Sequence, residues 1–293
     1  MPTNAEETTF SYATSEDPAL KRLLIRVVEA MTGRPYLKRL YDDHRDHPVP
    51  GESFWAAALQ RLEVTLNCNE QALAGVPKTG SLVIVANHPF GVLDGLIISY
   101  LVSKVRSDFF VLTNAVLYQA EEIRQHLLPI DFAETKEALS TNLTTANAAK
   151  AHLVDGGCVV IFPAGGASTT TTPWSREAVD AEWKNFTARL IIGTKCPVLP
   201  VFFAGQNSRL FQIASHISLT LRLSLFFKEV YDKIGSTIYL RVGDTIPFKD
   251  MAAFDRIQLM EFLRKKTYAL GVGLPRSVRG RRPRYMSKAD RKP

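Results

Sequence analysis

The sequence predicts an α/β fold, a mostly parallel central sheet flanked by helices, with an N-terminal helical extension. Three observations predict it. From residue 81 the chain resolves into short apolar runs, Leu82 to Ala86, Phe109 to Thr113, Cys158 to Phe162, Val198 to Phe203 and Thr237 to Val242, and near-continuous apolar runs mark strands buried on both faces. Helical stretches separate most of them, the alternation that yields parallel strands. Before residue 81 the apolar spacing is instead helical, as in Leu20, Leu23, Leu24, Val27, Val28 and Met31.

Taken in order, residues 1–18 form a polar, acidic arm with neither the basic head nor the apolar stretch of a secretory signal. Residues 19–78 form the helical extension, with one amphipathic helix from Ala19 to Tyr41 broken near Gly33 to Pro35 and another from Phe54 to Leu66. Residues 79–274 form the α/β domain, with helices predicted at Gly95 to Val105, Glu134 to Val154 and Ala178 to Ile192, and a loop at Thr169 to Thr172. The stretch Leu210 to Phe227 fits both helical and strand periodicity, and spacing alone does not arbitrate. Residues 275–293 form a polybasic tail whose eight Lys and Arg face the single acid Asp290, which accounts for the whole net charge of +7.

Composition narrows the function classes. The 293 residues support a core without disulfides or metal, and the odd set Cys68, Cys158 and Cys196 reads as reduced thiols of an intracellular protein. No apolar run approaches the roughly 20 residues of a spanning helix. A polybasic tail suits an anionic membrane surface, each basic side chain adding about 1 kcal/mol. A solvated tail is the plain alternative, and nucleic acid is not expected as a partner because the body carries no recognisable module for it. The cluster Asp42, Asp43, His44, Asp46, His47 lacks the fixed spacing of a metal site, so no metal is predicted. Ser168 lacks the Gly-x-Ser-x-Gly elbow of a serine hydrolase.

The chemistry concentrates in Asn87-His88-Pro89-Phe90-Gly91-Val92-Leu93-Asp94-Gly95. Pro89 steers His88 away from helical angles and Gly91 allows a sharp turn, so the imidazole is expected at the carboxyl end of a strand. Asp94 falls where a helix begins, and a carboxylate there can cap the helix and orient the histidine together. Two further strand ends carry suggestive loops, Pro163-Ala164-Gly165-Gly166-Ala167-Ser168 and Gly205-Gln206-Asn207-Ser208-Arg209. Ligands bind outside the carboxyl ends of strands in open α/β sheets, so the three loops are expected to meet in one site.

His88 and Asp94, then Phe162-Pro163-x-Gly165, then Val198-Leu199-Pro200-Val201, in this order over roughly residues 80 to 250, resemble the lysophospholipid acyltransferase superfamily of glycerolipid acyltransferases. His-Pro-Phe-Gly-x-x-Asp-Gly, Phe-Pro-Ala-Gly and Asp180-x-Glu182-Trp183-Lys184 are similar to its hemolysin-like branch, which includes lyso-ornithine and lyso-glycine lipid O-acyltransferases. The resemblance implies that His88 acts as a general base on a lipid hydroxyl while Asp94 holds its tautomer. It further implies that the acyl group comes from acyl carrier protein or coenzyme A as a co-substrate, with no resident cofactor. The implied place of action is the cytoplasmic face of the inner membrane, as a peripheral protein. A noncatalytic lipid-binding or membrane-perturbing protein is the alternative that the hemolysin label suggests.

The chain departs from its relatives twice. Five residues separate His88 from Asp94 where four are usual, so the loop is expected to bulge at Gly91. The block commonly read as Phe-Pro-Glu-Gly-Thr-Arg-Ser runs from Phe162 to Ser168 without its acid or its arginine, which favours an acceptor other than lysophosphatidic acid. Lyso-ornithine lipid or a related aminolipid is the first acceptor and lysophosphatidic acid the second. Asn87, Gly91, Phe162, Pro163, Gly165 and Gly166 are the candidate substrate contacts, with Arg176, Lys184 and Arg209 as candidate cations for a carboxylate headgroup or the pantetheine phosphate.

Overall fold

Gly33, at a φ of 93° that suits only glycine, splits the leading apolar stripe into α1 (Ala19–Met31) and α2 (Arg34–Asp46). Pro35 sits in the first turn of α2, where its missing N–H removes no helical bond. Ser53 then caps α3 (Phe54–Arg61), its hydroxyl accepting the Ala56 N–H at 3.2 Å. These elements belong to a computed structural model that describes residues 11, 13, 18–114, 121–130 and 136–275. The acidic arm apart from residues 11, 13 and 18, and the basic tail beyond Pro275, lie outside the described residues.

The helix expected from Phe54 to Leu66 stops at Arg61, because Glu63 adopts a left-handed φ of 52° and reverses the chain into a strand, β1 (Thr65–Asn67). After α4 (Glu70–Ala74) the expected runs appear as β2 (Leu82–Ala86), β3 (Phe109–Asn114) and, later, β5 (Cys158–Ile161), β8 (Val198–Ala204) and β9 (Thr237–Val242). The short β4 (Leu127–Ile130) had no signal, since Pro129 interrupts its apolar run. The intervening helices are α5 (Val92–Ser103) and α6 (Lys136–Val154). Beyond β5 lie the strands β6 (Thr169–Thr170) and β7 (Ala178–Val179) and the helix α7 (Asn185–Thr194). The threonine run is thus no plain loop, and the helix expected from Ala178 begins only at Asn185, because Thr169 and Thr170 pair antiparallel with Val179 and Ala178.

The ambiguous stretch is helical but cut twice, into α8 (Arg209–Ile217), α9 (Leu219–Ser224) and α10 (Phe226–Asp232). Ser218 takes an extended φ of −161° between the first two and caps the second, accepting the Thr220 N–H at 3.2 Å. After β9, Asp255 and Gln258 close a reciprocal capping box on the last helix, α11 (Arg256–Ala269).

The seven strands stand in the order β1-β9-β8-β2-β5-β3-β4, with every neighbouring pair parallel except β8 and β9. Alternate residues of β2 divide the core. Leu82, Ile84 and Ala86 pack with Ile25, Trp55 and Ile97 on one face, while Val83 and Val85 pack with Leu153, Ile191 and Leu263 on the other. Full burial of such side chains contributes about 1.5–3 kcal/mol each, which is why a strand with no polar residue is stable only at the centre of a two-sided sheet. At the amino ends of these strands Arg106 forks onto Asp108, at 2.8 and 2.6 Å. It also donates to the carbonyls of Gly80 and Gly156 at 2.7 and 3.0 Å, tying the loops before β2 and β5 to the start of β3.

Candidate active site

At the carboxyl end of β2 the chain turns through Gly91, whose φ of 74° makes the bulge that the longer His-to-Asp spacing required. A Cβ there would come 2.5 Å from the Phe226 ring. Asp94 is the third residue of α5, and its Oδ2 reaches back to accept the Phe90 and Gly91 N–H groups at 2.8 and 3.0 Å, satisfying two donors at the helix start. The same oxygen lies 3.1 Å from His88 Nδ1. That approach is off the line of the imidazole N–H, so it is close as an electrostatic contact and bent as a hydrogen bond. Asp94 is fully buried, and Oδ1 has no hydrogen-bond partner among the described residues. Burial pushes its carboxyl above the ordinary carboxylate range, against the opposing pull of His88 and the two amides.

The imidazole lies over the Phe162 ring, with centroids 4.0 Å apart and planes inclined by 26°, which leaves Nε2 as the nitrogen not engaged by Asp94. Asp180 fixes the loop from behind. Its Oδ1 accepts the His88 backbone N–H at 3.1 Å and the Ser168 hydroxyl at 2.5 Å, while Oδ2 accepts the Trp183 indole N–H at 2.9 Å. Ser168 N–H in turn donates to the His88 carbonyl at 2.8 Å. The histidine loop and the glycine block are thereby locked together through one buried carboxylate.

His88 opens into a cavity of about 230 Å³. Gly91, Phe162, Gly165 and Gly166 line it, together with the ends of β3 and β4 at Thr113 and Ile130 and with Leu219, Arg222 and Phe226 from α9 and α10. Most of the wall is apolar, and among the described residues His88 and Arg222 are its ionisable members.

Several sequence expectations are corrected. Asn87 points sideways into the sheet, donating to the Phe203 carbonyl at 2.9 Å and accepting the Phe203 N–H at 2.7 Å, so it clamps β2 to β8 and does not line the cavity. Pro163 gives its carbonyl to the Lys184 N–H at 3.0 Å and also stays outside. Arg176 and Lys184 are exposed and away from the cavity wall. Arg209 is spent on the carbonyls of Ser175 and Pro173. The third loop, Gly205 to Arg209, therefore does not join the other two, because buried Glu229 accepts the Ser208 N–H and hydroxyl at 2.8 and 2.6 Å and holds it beside α10.

Sequence reasoning missed Arg222 and gave no role to Asp180. Arg222 had a readable signal as the lone charge within the apolar run Leu219 to Phe227. Its position beside the glycine block depends on the break at Ser218 and had none.

With the geometry in view, the comparisons with known proteins agree with the resemblance read from the motifs. The acyltransferase family pattern matches residues 35–276. The lyso-glycine lipid O-acyltransferase of Phocaeicola vulgatus is 24% identical over 231 residues, covering 75% of this chain and 78% of that protein. The protein of the same name from Bacteroides thetaiotaomicron is 24% identical over 238 residues, covering 75% and 80%. Among solved structures, the 1-acyl-sn-glycerophosphate (LPA) acyltransferase of Thermotoga maritima aligns with a TM-score of 0.43 at 14% identity, over 88% of this chain and 99% of that one. The chain belongs to the acyltransferase family.

Proposed function

We propose that the protein transfers a fatty acyl group from an acyl thioester, on acyl carrier protein or coenzyme A, to the hydroxyl of a lyso-lipid. The observation that carries the reading is the 3.1 Å approach of buried Asp94 to His88 at the wall of an apolar cavity. The names of the curated relatives favour an acceptor of the lyso-glycine lipid kind, an aminolipid in line with the first acceptor read from the sequence.

Asp94 holds Nδ1 of His88 as the protonated nitrogen, so Nε2 presents a lone pair to the acceptor hydroxyl. As the hydroxyl oxygen attacks the thioester carbonyl, its proton passes to Nε2, and the buried carboxylate stabilises the imidazolium that forms. The C–O bond forms, the C–S bond breaks, and the imidazolium returns the proton to the departing thiolate. General-base catalysis of this kind contributes about 10²–10⁴ in rate, and co-orientation of the two substrates adds to it.

The chain meets lipid at a surface. No helix among the described residues is long and apolar enough to cross a membrane, yet α1 exposes Leu20, Leu23, Leu24, Val27 and Met31, and α8 and α9 expose Leu210, Ile213, Ile217 and Leu219. Helix α1 packs against α9, and Leu219 both lines the cavity and faces outward at 63% exposure. An acceptor tail held in the interface would enter the cavity at this edge. The basic tail would add attraction to anionic headgroups.

The test is turnover. Purified protein given a labelled acyl thioester and a panel of lyso-lipids should form the diacyl product, and His88→Ala should not. Equal product from the variant rejects the assigned base, whereas no product from any donor and acceptor pair returns the chain to a lipid-binding role.

A further inference from the structure

Among the described residues, Arg222 stands in the cavity without an acid. Its Nη2 donates to the Ala167 carbonyl at 2.7 Å, and its guanidinium carbon lies 5.8 Å from the centre of the Phe211 ring. No carboxylate pairs with it among the described residues, and burial alone pushes its pKa down, the mark of a cation that has lost water without gaining a counter-ion. Gly166 allows the approach, since a Cβ there would stand 3.1 Å from Nη2. A desolvated cation is costly unless a charge compensates it. The fork of N–H donors beyond the one given to Ala167 can reach the cavity that His88 shares.

The glycine block from Phe162 to Ser168 has no arginine of its own. Helix α9 brings one to the same block from 55 residues away in the chain, and a rotated guanidinium could hold an oxyanion in two-pronged fashion.

We propose that Arg222 binds the anionic headgroup, carboxylate or phosphate, of the acceptor lipid and so selects which hydroxyl reaches His88. The inference rests on the reading of His88 as the base. The acceptor is favoured over the donor as the source of the anion because one small cavity holds both residues. The headgroup of a lyso-lipid lies a few bonds from its free hydroxyl. The phosphate of a phosphopantetheine thioester is separated from the reacting carbonyl by the whole pantetheine arm.

The experiment measures equilibrium binding to detergent-dispersed full-length protein of three probes: a hydroxyl-bearing N-acylglycine, its methyl ester and lysophosphatidic acid. Arg222→Met should weaken binding of the preferred anion at least tenfold and leave the ester within twofold of wild type. Arg222→Lys should recover part of the loss, and in turnover the effect should fall on the acceptor KM while kcat and the donor KM hold. The wild-type preference between the two anions distinguishes a carboxylate acceptor from a phosphate acceptor. Equal loss for acid and ester would reduce Arg222 to a prop for Ala167, and no loss for either anion, or no binding of either by wild type, would also overturn the proposal. His88→Ala should keep the binding pattern and lose turnover. If it keeps turnover, the catalytic reading fails while the binding result stands.

Discussion

At the scale of single residues, Gly91 lets His88 and Asp94 meet across five intervening residues. The positive φ and the Phe226 ring together leave no room for a side chain. Gly91→Ala should therefore lower stability by about 1–3 kcal/mol, read as a shift in the urea midpoint, and should reduce kcat more than acceptor KM because the loop that aligns the imidazole is displaced. A variant with unchanged midpoint and kcat would show that the turn tolerates a Cβ. Much of this was legible in the chain: proline and glycine around a histidine, followed by an aspartate at a helix start, have few interpretations. The roles of Asn87 and Arg209 were not legible, because a polar residue beside a motif reads the same whether it faces substrate or the backbone of a neighbouring strand. Their partners, Phe203 and the carbonyls of Pro173 and Ser175, are set by tertiary approach.

At the scale of elements, the two ends of the sheet do different work. Asp180 ties the histidine loop to the glycine block at the carboxyl end, whereas Arg106 ties three loops at the amino end. Hydrogen bonds to charged groups contribute about 1.5–3 kcal/mol each, so Asp180→Ala and Arg106→Met should each cost roughly 3 kcal/mol of unfolding free energy. Only the first should also depress kcat at a temperature where both remain folded, and equal kcat losses would dissolve the division. The five central strands were readable because β2, β5 and β8, buried on both faces, are apolar throughout, whereas β9 buries only alternate residues, Ile238, Leu240 and Val242. The strand β1, the pair β6 and β7, and the breaks within Leu210 to Phe227 were not, because each is created by pairing with another segment or by the backbone of a single residue, Glu63 in a left-handed turn or Ser218 extended between two helices.

At the scale of the whole molecule, the two-sided core and the exposed apolar edge make separate predictions. Burial pushes the Cys158 thiol up to about 12 and raises that of Cys196. A raised pKa keeps the thiol protonated, so at pH 8 both should resist iodoacetamide while Cys68, only half-buried, reacts, and all three should label once the chain is unfolded. Equal native labelling of Cys158 would contradict the closed core. Replacing Leu20 and Leu24 with Glu, or deleting residues 275–293, should weaken sedimentation with anionic liposomes, the tail's contribution being largest at low salt, and leave turnover of detergent-dispersed substrate largely intact. Unchanged sedimentation in both variants would remove the surface-docking proposal. The charge asymmetry was visible in the sequence, but the joining of α1 to the cavity edge through α9 appears only in three dimensions. The most direct measurement on the central claim is the rate of diacyl-lipid formation by His88→Ala beside wild type, with matched thermal stability and saturating acyl thioester. The account predicts a fall in kcat of about 10²–10⁴ with acceptor binding retained; a variant that turns over at the wild-type rate would contradict it.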